Sequence, residues 1–470
     1  MMEFIFTFDD GKKIPYYHQL YQFVRQEIES GRTIAGTRLP SIRNLSDSLA
    51  VSKTTVEQAY QQLIAEGYIG SAARVGYFSL PQEHTFARPD VHHPQDLQNQ
   101  ISRWNNIDID FHPARVDVEY FPFSTLRKIS HAVWNTFDHT TLDYGDPLGE
   151  RGLRTQIARY LLQSRGVVCS PDQVVVGSGI QYSLQLLVGL LGIHNMHVAM
   201  EYPGYDRVRS IFAQLQVPID PIPLESDGID VKSLSSSTAN VAYVTPSHQY
   251  PQGMVMSYSK RMQLLEWAKA HKGFIIEDDY DGEFRYGERP IPALQGLDTD
   301  ERVIYIGTFS KALAPSFRMN HMVLPSSLLK KFINQPHYVD SPVSRFQQLL
   351  IEKFMEMGHF ERHIRRTRRV YRHKHAVLLQ SIRSELGSYA TVKGYGAGLH
   401  VSIELCTDYS QAELIERAAS AGVSVYFSSE VSIAGDAPSV NIILGFGGLS
   451  AEQITDGIRR LRSCWFSSDH

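Results

Sequence analysis

Residues 307–318 read GTFSKALAPSFR. They follow a short β-branched run, VIYIG, and set a lysine, Lys311, seven residues before an arginine, Arg318. A lysine after a strand is ordinarily a solvated charge. It gains chemical meaning if other segments supply partners for an amine that has lost its proton and can attack an aldehyde. Thr308 and Ser310 stand before it, and Arg318 can fork onto a phosphate bidentately, which a lysine cannot do.

Such a lysine needs a phosphate cradle and an acid that keeps a ring nitrogen protonated, so that the ring acts as an electron sink. Each has a candidate. The strand-like QVVVG is followed by SGIQYSLQLL, a small-residue loop opening a helix. The free N–H groups of Gly179, Ile180 and Gln181 can hold a phosphate dianion there. After GFIIE come Asp278 and Tyr280. A carboxylate at a strand's C-terminal end lies on the ligand edge of an α/β sheet. Tyr205, in MEYPGYDR after another strand, is placed to stack on a ring face.

Working outward, QVVVG, HVAME, VAYVTP, GFIIEDD and VIYIG alternate with the helical patterns TQIARYLLQSRG, YSLQLLVGLLG and KRMQLLEWAKAHKG. The alternation predicts an α/β domain over 108–470 with a largely parallel sheet covered on both faces. Its last part, with LHVSIEL and VNIILGF, reads as a small α+β subdomain. Residues 81–107 are polar, carry Pro81, Pro89 and Pro94, and show no period. They read as a flexible linker spanning on the order of 30 Å.

Residues 1–80 carry a different pattern. PYYHQLYQFVRQEIESG is an amphipathic helix with Leu20, Val24 and Ile28 on one face, stopped by Gly31. Two further helices follow, capped by Ser41 and Ser52 and joined by a turn at Ala50–Val51, and a strand pair with Gly76 closes the segment. This is an all-α winged helix-turn-helix, whose second helix presents its first residues to the major groove. Ser52, Lys53, Thr54 and Thr55 suit base-edge and phosphate contacts there, with Ser41, Arg38 and Arg43 flanking the groove and Arg74 in the wing.

The composition and length fit two or three soluble domains: 470 residues, 43% hydrophobic, net charge −4. With that charge, nucleic-acid binding must come from a local patch. No apolar run approaches the roughly 20 residues that span a bilayer. MMEFIFTFDDGKK has acids directly after its apolar stretch and reads as no secretory leader. Cys169, Cys406 and Cys464 are scattered, with no CxxC pair, so the expected compartment is the reducing cytoplasm.

The first 80 residues resemble the GntR family of bacterial regulators through GTRLPSIR and LAVSKTTVEQAYQQLIAEG, though Lys53 stands where arginine is commoner and the wing is short. Residues 108–465 resemble fold-type I aminotransferases, the pyridoxal 5′-phosphate (PLP) enzymes of the aspartate aminotransferase family. YGDPLGERGLR, VTPSHQYPQG, EDDYDGEFRY and GTFSK are similar to its regulator offshoot. Together they identify the chain with the MocR/GabR type of transcriptional regulator. That resemblance implies that Lys311 anchors PLP covalently, Asp278 pairs with the pyridine nitrogen, Tyr280 bonds the ring oxygen and Tyr205 stacks. Gly179, Ile180, Gln181, Thr308, Ser310 and Arg318 would surround the phosphate. It also implies a homodimer, with a head-to-tail exchange of domains.

Two departures bear on function. Aminotransferases hold the substrate α-carboxylate with an arginine whose place here falls on Ile443, and an asparagine that bonds the ring oxygen is replaced by Tyr250. Burying a carboxylate against an isoleucine would cost several kcal/mol. Arg207 is a substitute anion site, hence a candidate effector contact. The expected function is a DNA-binding regulator that senses an amino compound or PLP itself; the alternative is a working aminotransferase with a DNA-binding appendage. The basic stretch ERHIRRTRRVYRHKH (361–375) reads as solvated or subunit-facing charge, or as a second DNA surface.

Overall fold

The computed structural model describes residues 6–9, 14–72, 76–81, 107–286, 291–334, 340–428 and 439–466. The chain divides into two compact units, Met1–Ser102 and Arg103–His470. The expected linker falls almost wholly outside the described residues, as does Arg74.

In the first unit, helix α1 (Tyr16–Glu29) buries Leu20, Val24 and Ile28, the stripe its spacing predicts. Ser41 caps α2 (Ile42–Leu49), its Oγ accepting the Asn44 N–H at 3.2 Å. Ala50 then takes a left-handed conformation, φ 53°, which makes the turn tight. Ser52 caps α3 (Lys53–Ala65) in the same way, at 3.1 Å from the Thr55 N–H. Val56, Tyr60 and Leu63 of α3 close the core against Leu20 and Leu45. Strands β1 (Ile69–Ala72) and β2 (Gly76–Ser79) pair antiparallel as the wing, and Arg38 bridges to Phe78.

The second unit is built on an eight-stranded sheet. Its strands are β3 (Val174–Gly177), β4 (Val198–Tyr202), β5 (Ile219–Glu225), β6 (Gly228–Ile229), β7 (Val241–Val244), β8 (Phe274–Asp279), β9 (Val303–Thr308) and β10 (Asn320–Val323). They run in the order β3-β10-β9-β8-β7-β4-β5-β6. Strands β9, β8, β7, β4 and β5 are parallel neighbours, whereas β10 is antiparallel to both β9 and β3. Side chains alternate across the sheet, so Ile275 and Ile276 of β8 enter cores on opposite faces. Helices α4 (Arg151–Arg165), α5 (Ile180–Leu191), α6 (Asp206–Gln214) and α7 (Tyr258–Ala270) contribute to those covering layers.

Three strands exceed the sequence expectation. IDPIPLE (β5) carries two prolines, and the short β6 pairs only with its Leu224 and Glu225, so most of it is a sheet edge where proline is tolerated. NHMV (β10) is a fully buried strand that contains an asparagine and a histidine.

The long helix α8 (His359–Ser381) leads into a four-stranded antiparallel sheet of β11 (Ala390–Lys393), β12 (His400–Cys406), β13 (Tyr426–Phe427) and β14 (Ser439–Gly445), ordered β11-β12-β14-β13. This is the expected small subdomain. Among the described residues, no helix is long and apolar enough to cross a membrane.

Candidate functional site

A cavity of about 340 Å³ opens at the C-terminal ends of the parallel strands. Lys311, Asp278, Tyr280, Tyr205, Gly179, Ile180, Thr308, Ser310, Arg318, Arg207 and Tyr250 all line it. Gln181 does not: its side chain is exposed on the first turn of α5, leaving only its backbone N–H on the cavity end of that helix. The sequence reading missed His112, Asn320 and His400, which also line the space.

Lys311 lies in a one-turn helix, Phe309–Ala312, rather than in a loop, and Thr308 caps that turn by accepting the Ser310 N–H at 3.1 Å. Its Nζ donates to the Pro113 carbonyl. Burial pulls the amine down to about 8, with the charge of Asp281 opposing. A substantial uncharged fraction at neutral pH is what a nucleophilic amine requires.

Asp278, the penultimate residue of β8, has 6% of its surface exposed. Its Oδ2 accepts from the Tyr243 hydroxyl. Burial pushes its carboxyl up to about 7; the Tyr243 bond pulls the other way, and Asp279 and Asp281 add to the rise. No cation pairs with it among the described residues. A buried carboxylate lacking a counter-ion at a cavity wall suits a protonated ring nitrogen.

The opposite end of the cavity is shaped for an anion. Gly179, φ +112°, is the N-cap of α5 and provides no side-chain cap, so the helix's first N–H groups keep their capacity for a ligand. A Cβ there would stand 3.0 Å from Nη2 of Arg318. The guanidinium thus lies against bare backbone, and among the described residues no carboxylate pairs with it. Asn320 Oδ1 accepts the Gly179 N–H at 3.0 Å, so that N–H, expected from the sequence to be free for a phosphate, is already engaged; the Asn320 amide in turn donates to Ser183 Oγ at 2.7 Å. These features fit PLP: an aldehyde-reactive amine, a carboxylate for the pyridine nitrogen and a cradle for the phosphate.

Tyr205 and Tyr250 lie with ring centroids 4.9 Å apart, forming an aromatic wall. Arg207 lines the cavity from the first turn of α6 and has no ion pair among the described residues. Ile443 is 1% exposed in the middle of β14, between Ser402 and Tyr426, and does not line the cavity. The position that would carry the carboxylate arginine is therefore a buried isoleucine with no charge to offer.

In the DNA-reading unit, Arg38, Arg43, Lys53 and Thr54 are exposed. Ser41 and Ser52 are engaged as caps, and Ser52 Oγ also bonds Thr55 Oγ1 at 2.8 Å. This narrows the free first-turn side chains of α3 to Lys53 and Thr54. The basic stretch of α8 is partly absorbed by structure. Lys374 is buried with Asp117 at 2.6 Å, Arg368 donates to the Glu283 carbonyl at 2.8 Å, and Arg366 sits over the Tyr120 ring.

Comparison with known proteins places both halves. A family model described as bacterial regulatory proteins, gntR family, matches residues 16–78. One described as aminotransferase class I and II matches residues 122–387. The chain is 42% identical over 452 residues to the HTH-type transcriptional regulator YdeL of Bacillus subtilis, covering 96% of this chain and 97% of that protein. It is 34% identical over 479 residues to the probable rhizopine catabolism regulatory protein MocR of Rhizobium meliloti, covering 98% and 95%. Its fold is similar to that of an archaeal alanine:glyoxylate aminotransferase, with a TM-score of 0.70 and 26% identity, covering 79% of this chain and 94% of that one.

Proposed function

This chain belongs to the MocR/GabR type of transcriptional regulators, which join a gntR-family DNA reader to an aminotransferase-like PLP domain, and from that premise we propose that its cavity senses an amino compound. The carrying observation is the meeting of Lys311, Asp278 and the Gly179–Arg318 cradle in one cavity. In this reading Lys311 holds the cofactor covalently, Asp278 faces the pyridine nitrogen, Tyr280 the ring oxygen and Tyr205 the ring. Ile180, Thr308, Ser310 and Arg318 hold the phosphate, with Gln181 contributing its backbone N–H alone and Gly179, whose own N–H is taken by Asn320, keeping the approach free of a side chain. PLP supplies an aldehyde that an amine can take over from the lysine. Arg207 offers an anion site at the cavity wall.

The isoleucine at 443 favours sensing over turnover, because that position cannot orient the carboxylate of an α-amino acid for reaction and leaves Arg207 as the candidate anion contact. The same observation supports a second reading, in which PLP loading is itself the signal. Either ligand acts only by binding one conformation of the regulator better than another. A homodimer with head-to-tail exchange would present two readers to paired half-sites.

The test is visible absorption of protein stripped of cofactor, titrated with PLP and then with a panel of amines and amino acids. A stable spectral change with one amine, and no keto acid released, supports amine sensing. A response to PLP and silence with every amine makes the cofactor the signal. Keto acid released in many equivalents per site overturns both in favour of an enzyme.

A further inference from the structure

Three buried polar side chains gather beside Tyr280 with no role in the reading above. His248 is 1% exposed, Asp281 1% and His400 2%. His248 follows β7, Asp281 follows β8 and His400 opens β12. His248 Nδ1 lies 2.9 Å from Asp281 Oδ2 and 3.0 Å from the Tyr280 hydroxyl. The His248 and His400 rings are 4.5 Å apart, and both Nε2 atoms are buried without a hydrogen-bond partner among the described residues. Bare backbone closes over the pair: a Cβ on Gly398, φ +75°, would stand 2.1 Å from His248 Nδ1 and 2.4 Å from Asp281 Oδ2.

The positions of the protons follow from these distances. An ionised carboxylate only accepts, so its contact with His248 puts the proton of the neutral imidazole on Nδ1. That N–H is shared between Asp281 and the Tyr280 oxygen. Tyr280 therefore accepts on this side, and its own proton must point elsewhere. Because Tyr280 lines the cavity, the cavity is where that proton is free to go.

We propose that His248 and Asp281 are a positioning pair that makes the Tyr280 hydroxyl a donor toward the ring oxygen of PLP. The proposal rests on the reading that the cavity holds PLP. A divalent metal on His248, Asp281 and His400 is the competing use of these groups, whose ligand atoms lie within 4.8 Å of one another. A metal would have to displace the direct His248–Asp281 hydrogen bond, which favours the proton assignment. Besides Asp281 and His400, the titratable groups facing Tyr280 and His248 are Asp278, Tyr205, Tyr250 and His375, and Lys311 faces Asp281 and His400.

The experiment is a pH titration of the visible band of PLP-loaded protein. A donor at the ring oxygen stabilises its anionic form, so the chromophore releases its proton at lower pH. Removing the donor with Tyr280→Phe raises the midpoint by about one pH unit. Asp281→Asn and His248→Leu are expected to raise it comparably, whereas His248→Asn, which keeps an N–H near the Nδ1 position, restores the wild-type midpoint. If His248→Leu does not fold, the near-isosteric Asp281→Asn decides. Should Tyr280→Phe shift the band while Asp281→Asn leaves the midpoint at the wild-type value, the positioning pair is refuted. An unmoved Tyr280→Phe midpoint, or stoichiometric divalent metal in the purified protein, overturns it as well. Absence of any visible band in wild-type protein with PLP instead overturns the cofactor reading itself.

Discussion

Asp278 and Asp279, consecutive at the end of β8, occupy opposite electrostatic environments. Asp278 faces the cavity, where its side chain accepts from the Tyr243 hydroxyl and pairs with no cation among the described residues, and burial lifts it to about 7. Asp279 lies on the other face of the sheet, where Arg165 Nε donates to it at 2.5 Å and the Tyr305 hydroxyl at 2.7 Å. Burial pushes Asp279 up too, but the charge and hydrogen bond of Arg165 outweigh it and hold the carboxyl below its usual value. The two-residue period of a strand thus assigns one carboxylate to a ligand and the other to the scaffold.

Substitution should separate these roles. Asp278→Asn keeps a hydrogen-bonding partner for Tyr243 but removes the charge, and we expect PLP to bind about 10- to 100-fold more weakly in a protein of undiminished stability. Asp279→Asn strands the Arg165 guanidinium without its counter-ion, which costs about 3–5 kcal/mol. Equilibrium dialysis of PLP and denaturant midpoints, measured on both variants, check the division. A folding defect in Asp278→Asn matching that of Asp279→Asn would refute it.

The raised carboxyl of Asp278 also carries a pH dependence in the cofactor-free protein. Its ordinary value is 3.8 and its folded value about 7, so between them the folded state holds the proton and the unfolded state does not. Stability contributed by this group is full below about pH 4 and is lost as pH rises through about 7. Glu201 and Glu283, pushed up to about 7 by burial, act with the same sign. The difference between wild type and Asp278→Asn isolates one group. In urea titrations from pH 5 to 8, the variant should gain on wild type as pH rises.

The residues that could be read from the chain were those whose chemistry and place in an element coincide. Lys311, Asp278 and Arg318 follow recognisable strands, and their side chains do reach one cavity. Gln181 was legible through its backbone alone: the N–H groups of a helix's first residues point along its axis, while the Gln181 side chain turns outward. His400 sits between Leu399 and Val401 in an alternating strand and reads as core until the small sheet brings it to the cavity. Asn320 was hidden in MNHM, a run with little strand signal, although β10 pairs on both sides. Ser52 was legible as both cap and contact, and the hydrogen bond to Thr55 shows the cap.

Lys311 gives a kinetic expectation. With its amine at about 8, the nucleophilic fraction grows up to that pH and then saturates, well below the ordinary 10.5. The rate of covalent PLP uptake after rapid mixing should rise roughly tenfold per pH unit on the acid side and level above about pH 8. Lys311→Ala should show no such phase at any pH. A rate still climbing at pH 10 would mean that the amine is solvated.

At the DNA-reading unit, capping and contact predict different losses. Ser52→Ala removes the N-cap of α3 and should lower stability by about 1 kcal/mol. Lys53→Ala removes an exposed charge beside it, leaving the fold intact. Its effect should appear in binding to DNA from the gene's upstream intergenic region as weaker affinity and a salt dependence reduced by about one phosphate contact. Arg43→Ala should do the same, whereas Thr54→Ala, lacking charge, should weaken the specific fragment more than random DNA and leave the salt slope unchanged. Fluorescence anisotropy across 50–200 mM salt, with specific and random duplexes, distinguishes these outcomes. If Lys53→Ala and Arg43→Ala leave both affinity and slope at wild-type values, the first turn of α3 is not the groove-facing end.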